Sequence, residues 1–312
     1  MYCIGFDIGG TKCAVTLGEI ECGQIKILER EEVPTLTSPI DTMEQLASHV
    51  KRFQTQKPIT SAGISCGGPL DSVNGVILTP PNLVGWHGFA IVNYIKEKFG
   101  LSATLENDAN ACAVAEWRFG AGAGTKNMIF MTFGTGLGAG LIIDGKLYGG
   151  TNGNAGELGH IRLAKHGPTG FGKEGSFEGF CSGGGITRLA IIMAKRRKTM
   201  PKCIQDMGGY EQVTTKTLSI AAFQGDKFAK QVFAKSGEML GKGLSIVIDV
   251  LNPEKIVIGG VFMRSSQLLI PAMQKQIQKE ALSDSAKVCQ IVPAKLSENI
   301  GDIAALSVAK GV

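Results

Sequence analysis

The sequence predicts an α/β fold built as two similar domains. Three observations predict it. Strand-like apolar runs alternate with helix-like stretches along the chain. A length of 312 residues suits two domains. One pattern also occurs twice: residues 6–16 (FDIGGTKCAVT) and 132–142 (TFGTGLGAGLI) both read as apolar strand, Gly/Thr turn, apolar strand, about 126 residues apart. No shorter period recurs, so the chain is not a solenoid.

Taken in order, residues 2–17 read as strand, Gly-Gly turn and strand. Residues 61–66 (SAGISC) form a buried strand ending at Gly67-Gly68-Pro69. Residues 103–106 form a short strand, and a helix follows from about 109 to 119, stopped by Gly120. Strands 128–133 and 139–143 flank Gly134-Thr135-Gly136-Leu137-Gly138. Residues 149–185 are glycine-rich and irregular, as a site-bearing loop region would be. Helices follow around 186–198, 217–224, 226–249 and 265–281, with a strand at 256–258 ending in Gly259-Gly260.

Composition narrows the class. The 43 glycines, about twice the usual share of ~7%, cluster beside apolar runs and so mark tight turns. Net charge is only +5. The one dense basic stretch, Lys195-Arg196-Arg197-Lys198, has no interleaved aromatics and reads as a solvated helix end, not a nucleic-acid patch. Eight cysteines without a CxxC pair point to a reducing compartment. The first residues run straight into a strand-like stretch with no leader pattern. The uncharged run 127–143 is broken by glycines and too short to span a bilayer. A cytoplasmic protein is expected.

The turns carry the chemistry. Backbone N–H groups converging on a small concavity hold phosphate well, and glycine permits the required conformation. Gly9-Gly10-Thr11-Lys12 and Gly134-Thr135-Gly136 both add a hydroxyl, and the first adds a lysine. Either could be merely a hairpin turn; as a pair they predict a triphosphate gripped from both sides of a cleft. Asp7, just before the first pair, could hold Mg²⁺ through water. Gly167 to Lys173 matches half of a P-loop, but Glu174 follows and no buried strand precedes, so it is set aside. Asp108 lies at a strand-to-helix junction, where it reads equally as helix N-cap and as catalytic base. Glu157, His160 and Glu178 place directional polar groups in the glycine-rich loop, as a polyhydroxylated ligand needs. Ser182, ahead of Gly183-Gly184-Gly185, reads as a helix cap.

These segments resemble the ROK family of repressors and sugar kinases, within the actin-like ATPase superfamily. The resemblance rests on IGFDIGGTK at 4–12, ENDANA at 106–111, GTGLGAGLIIDGKLYGGTNGNAGELGH at 134–160 and IVIGG at 256–260. They keep the family's order and cover nearly the whole chain. The resemblance implies two actin-like (ribonuclease H-like) lobes around a central cleft, 1–107 with a C-terminal helix from 299 to 312, and 108–298. It implies ATP phosphate contacts from Gly9, Gly10, Thr11, Lys12, Gly134, Thr135 and Gly136, with Gly259 and Gly260 near the adenosine. Asp108 would be the general base, and Gly68, Asn107, Glu157, His160 and Glu178 would bind the sugar. Many members also bind zinc through CxCGxxGCxE after the GH pair. Here Thr169, Phe171 and Ser176 stand at the three Cys positions, so no zinc is expected, and Phe171 is expected to anchor the loop by packing instead.

The implied activity is phosphoryl transfer from MgATP to a hexose or N-acetylhexosamine hydroxyl, at C6. The sugar is left open among glucose, mannose, fructose, allose, N-acetylglucosamine and N-acetylmannosamine. The implied partner is that small molecule, with no nucleic acid and no membrane; a homodimer is the family habit. The alternatives are a sugar-responsive regulator with the same body and a silent sugar-binding relative. The hairpin beginning at Tyr2 leaves no room ahead of it for a helix-turn-helix, and Asp108 with both turns argues against the silent relative.

Overall fold

The computed structural model describes residues 1–296 and 299–309. The chain divides into two compact units. The first comprises Met1–Phe130, Gly140–Ala155 and Lys295–Val312; the second comprises Met131–Ala139 and Gly156–Ala294. The expected lobe boundary at 298 and the last three positions of the expected terminal helix, 310–312, lie outside the described residues.

The first unit is organised by β1 (Tyr2–Ile8), β2 (Lys12–Glu21), β3 (Gln24–Pro34), α1 (Pro39–Gln56), β4 (Ser61–Cys66), the short β5 (Leu70–Asp71) and β6 (Val76–Ile77), α2 (Ile91–Phe99), β7 (Ser102–Asn107) and α3 (Asp108–Phe119). Its main sheet has the order β3-β2-β1-β4-β7. The first three strands are antiparallel, while β1/β4 and β4/β7 are parallel. β1 is central, which is why Cys3, Ile4, Phe6 and Ile8 are all buried. In this unit's first 107 residues the structure adds β3, α1, β5, β6 and α2 to the elements the sequence predicts. α1 starts where Ser38 accepts from the Asp41 N–H at 3.1 Å and Pro39 presets the first turn. Its Met43, Leu46, Ala47, Val50 and Phe53 form one buried stripe.

The second sheet has the order β10-β9-β8-β13-β14. Its strands are β8 (Met128–Phe133), β9 (Leu137–Ile143), β10 (Lys146–Leu147), β13 (Lys255–Ile258) and β14 (Gln290–Pro293). Like the first sheet, it takes three successive strands in reverse order and then two later ones, and β8–β9, like β1–β2, is the hairpin the internal echo predicts. Between β10 and β13 come the hairpin β11 (Thr169–Gly170) and β12 (Lys173–Glu174), then α4 (Phe177–Phe180), α5 (Gly183–Lys195), α6 (Lys202–Asp206), α7 (Thr215–Phe223) and α8 (Lys227–Leu251). α9 (Val261–Glu280) and α10 (Ser283–Val288) separate β13 from β14. The set-aside P-loop match lies on the β11–β12 hairpin. The basic stretch follows the end of α5, with Arg197 stacked over Phe228.

α11 (Ile300–Val308) packs on β1, β4 and α3. Gly63 permits that approach: a Cβ there would stand 1.9 Å from the Ala305 carbonyl oxygen. The chain entering α11 is tied to the end of α3 by Glu116, which is 0% exposed. Its Oε1 accepts from the Lys295 and Leu296 N–H groups and its Oε2 from Ala121. Three backbone donors thus satisfy a buried carboxylate. Among the described residues, no helix is long and apolar enough to cross a membrane.

Candidate active site

In the first unit, the Gly9–Lys12 turn closes the β1–β2 hairpin through Gly9 N–H to Lys12 O at 3.1 Å. Thr35 braces it from β3's end, its hydroxyl donating to Gly9 O at 2.6 Å and its N–H to Thr11 O at 3.0 Å. Gly10, Thr11 and Lys12 remain exposed. Lys12 pairs with Glu32 at 2.6 Å, and Arg30 bridges Glu32 to Asp302 on α11 at 2.9 Å to each. The Lys12 ammonium, then Arg30, hold the Glu32 carboxyl below its ordinary range.

Asp7 is the penultimate residue of β1, beside this network. Burial first, then the Asp302 and Asp108 carboxylates, push it up to about 6. Asp302 itself is held by Thr16 and Arg30, so a cation here would be offered the single carboxylate of Asp7, as suits Mg²⁺ held through water.

The structure corrects one expectation at the β7–α3 junction. The N-cap of α3 is Asn107, not Asp108. Asn107 keeps extended dihedrals (φ −61°, ψ 144°), and its Oδ1 accepts from the N–H groups of Ala109 (3.0 Å) and Asn110 (3.4 Å). Asp108 is already helical. Its Oδ1 accepts from Ala109 N–H at 2.8 Å, while Oδ2 faces Gly67 and makes no hydrogen bond among the described residues. The residue surface stays accessible, but protein packs closely around the carboxyl, and that burial raises its pKa. Asn107's capping oxygen leaves its Nδ2 directed at Gly68, 3.3 Å from where a Cβ would sit. Glu106 and Asn110, both nearly buried, lock the junction from below. Glu106 Oε1 accepts from Asn107 N–H (2.8 Å) and Asn110 Nδ2 (3.0 Å).

In the second unit, the Gly134–Gly136 turn is braced from behind. The N–H groups of Gly183 and Gly184, which open α5, donate to the carbonyls of Gly134 (2.7 Å) and Thr135 (3.4 Å). Ser182 is the cap the sequence predicts, accepting from Gly185 N–H at 2.9 Å. The bracing role of the glycines behind it is not legible from composition. Glu178, on α4, reaches the same turn: its Oε2 accepts from Leu137 N–H at 3.1 Å. Gly259 and Gly260 end β13 next to it. Gly259 N–H donates to Met131 O at 2.9 Å, and a Cβ at Gly260 would stand 2.1 Å from Phe133 O. Gly159, beside His160, packs on the Glu178 Cβ. Glu157 opens the same short turn, but its side chain is exposed and makes no hydrogen bond among the described residues.

The loop expected to be anchored by Phe171 is held differently. Phe171 is 72% exposed, at the tip of the β11–β12 hairpin, edge-on to the His160 ring at 5.2 Å. The packing comes from backbone contact. A Cβ at Gly179 would stand 2.1 Å from Pro168 O, and buried Ser176 caps α4 through Gly179 N–H at 3.1 Å. Phe177 and Phe180 supply the apolar anchor, 0% and 3% exposed. Cys181 is also buried, its thiol directed at Ser236 O on α8, while His166 faces Glu174. No group of three metal-ligating side chains occurs among the described residues. Two recesses of about 500 and 480 Å³ open elsewhere, between α9, α10 and β14 and between α6 and α7, and touch none of these residues.

The model of the ROK family matches residues 3–312. A glucokinase of Streptomyces coelicolor is 30% identical over 311 residues, covering 98% of this chain and 97% of that one. The structure of a ROK family glucokinase from Streptomyces griseus, in complex with glucose and AMPPNP, superposes with a TM-score of 0.79 at 29% identity, covering the whole of both chains. A ROK family transcriptional regulator, homologous to the Escherichia coli MLC protein, superposes with a TM-score of 0.84 at 26% identity. It covers 99% of this chain and 78% of that one.

Proposed function

This chain belongs to the ROK family, and we propose that it is an ATP-dependent sugar kinase transferring the γ-phosphoryl group of MgATP to a hexose or N-acetylhexosamine hydroxyl at C6. One observation carries the reading. With Asn107 as the cap, Asp108 is not needed for that duty, and beyond the Ala109 N–H on Oδ1 its carboxylate has an Oδ2 that makes no hydrogen bond among the described residues.

In this reaction the sugar oxygen forms a bond to the γ-phosphorus while the bond to the ADP oxygen breaks. Asp108 takes the hydroxyl proton as general base, and a raised pKa suits that task. Catalysis otherwise rests on positioning and charge. Gly9, Gly10, Thr11, Lys12, Gly134, Thr135 and Gly136 contact phosphates, and Gly259 and Gly260 lie near the adenosine. Asn107, through its free Nδ2, binds the sugar with Gly68, Glu157, His160 and Glu178. Asp7 would hold Mg²⁺ through water, and the ion would offset charge on the phosphates. No step is routed through zinc, because Thr169, Phe171 and Ser176 offer no thiolates and Cys181 and His166 point to other partners. A small-molecule partner and a cytoplasmic location go with this reading.

A second reading, a sugar-responsive regulator, draws support from the superposition on the MLC homologue. There the sugar is a signal and Asp108 is idle. Coupled ADP release across glucose, mannose, fructose, allose, N-acetylglucosamine and N-acetylmannosamine separates the two. Sugar-dependent turnover supports the kinase, and sugar binding with no turnover supports the regulator.

A further inference from the structure

Glu178 occupies an unexpected place for a sugar ligand. Its carboxylate sits on the phosphate turn, accepting from the Leu137 N–H at 3.1 Å. The contact is close enough that a Cβ on Gly136 would stand 2.8 Å from Oε2. The side chain reaches the turn between two glycines, 159 and 170, whose Cβ positions would lie 3.4 and 2.8 Å from its own Cβ. Elsewhere in the turn, Gly134 N–H is bonded to Gly136 O, and the carbonyls of Gly134 and Thr135 are held by Gly183 and Gly184. One of the turn's N–H groups is therefore taken by an anion belonging to the protein. That anion repels the phosphates the turn is built to receive.

We propose that Glu178 is a positioning residue that couples sugar to nucleotide: without sugar its carboxylate occupies the phosphate turn, and sugar hydroxyls draw it away, freeing the Leu137 N–H for a phosphate oxygen. The inference rests on the reading of Glu178 as a sugar ligand. Sugar hydroxyls are donors that a carboxylate accepts strongly, so they compete directly with the N–H. By linkage, sugar and nucleotide then tighten each other by one common factor, of the order of 5–150-fold for such coupling. The device favours nucleotide binding after sugar and limits ATP hydrolysis in its absence.

The test is calorimetric titration of MgAMPPNP into the wild type, Glu178→Gln and Glu178→Ala, with and without the sugar that supports turnover. Thermal melts confirm that both variants fold. Gln keeps an acceptor but loses the charge, whereas Ala loses both. Both variants should bind MgAMPPNP at least five-fold more tightly than the wild type without sugar, and neither should respond further to sugar. Sugar-independent ATP hydrolysis should rise in parallel. Two results overturn the inference while leaving the kinase reading intact. One is an Ala variant with weakened MgAMPPNP binding beside a Gln variant like the wild type, which makes Glu178 a plain brace. The other is the wild-type coupling factor retained in both. A wild type that phosphorylates no sugar overturns the functional reading instead, and the inference with it.

Discussion

Asn107 is assigned two separable duties, and two substitutions divide them. Its Oδ1 caps α3 through Ala109 and Asn110, while its Nδ2, directed toward Gly68, is the proposed sugar donor. Serine caps a helix about as well as asparagine but has no amide donor, so Asn107→Ser should fold with near-wild-type stability. Alanine removes the cap as well and should cost about 1 kcal/mol, within a usual span of roughly 0.5–2. The lost sugar contact is a neutral hydrogen bond, worth about 0.5–1.5 kcal/mol, or roughly 2- to 13-fold in sugar KM. It should be equal in the two variants. Denaturant unfolding measures the first quantity and steady-state kinetics at saturating ATP the second. Asn107→Ser with wild-type sugar KM would refute the donor assignment, and Asn107→Ala with wild-type stability would refute the cap.

Other expectations follow from the same geometry. Gly10→Val should raise the KM for ATP and leave sugar affinity measurable by titration, because the side chain would crowd the phosphate proposed to sit at this exposed turn. Gly136→Val should also raise the KM for ATP, but its Cβ meets the proposed sugar ligand Glu178 at 2.8 Å, so the Gly10 variant discriminates: loss of its sugar affinity with intact ATP affinity contradicts the assignment. Phe171→Ala should leave the melting temperature nearly unchanged, since the ring is mostly exposed. Gly179→Ala should destabilise the loop by about 1–3 kcal/mol through overpacking against Pro168; the reverse ranking in thermal melts would restore Phe171 as the anchor. Elemental analysis should find well under one zinc per chain, and stoichiometric zinc surviving dialysis would contradict the reading of the loop.

Much of this architecture is legible in the sequence because the signals are local. Strands β4 and β8 coincide with apolar runs that end at glycines, Gly67 and Gly134, and both glycine-threonine turns are recognisable from residue type alone. The α3 cap was not resolvable that way. Asn107 and Asp108 are both good capping residues, and the choice depends on which one keeps extended dihedrals at the end of β7. Phe171 misleads for a related reason: its apolar character suggests burial, but it stands at a hairpin tip with positive φ, and its neighbours Phe177 and Phe180 take the core positions. The Glu178–Leu137 contact joins residues 41 apart. The Gly183–Gly134 brace likewise joins distant segments. Neither pairing leaves a local pattern, so both emerge only once β8, β9, α4 and α5 are packed.

The central claim is that Asp108 is a base and not a cap. Asp108→Asn is the direct test, because Asn107 carries the cap in both proteins and the fold is left alone. Sugar-dependent ADP release should fall roughly 10²–10⁴-fold, with the melting temperature and the affinities for sugar and MgAMPPNP close to wild type. A variant that still turns over within a few-fold of the wild type contradicts the account.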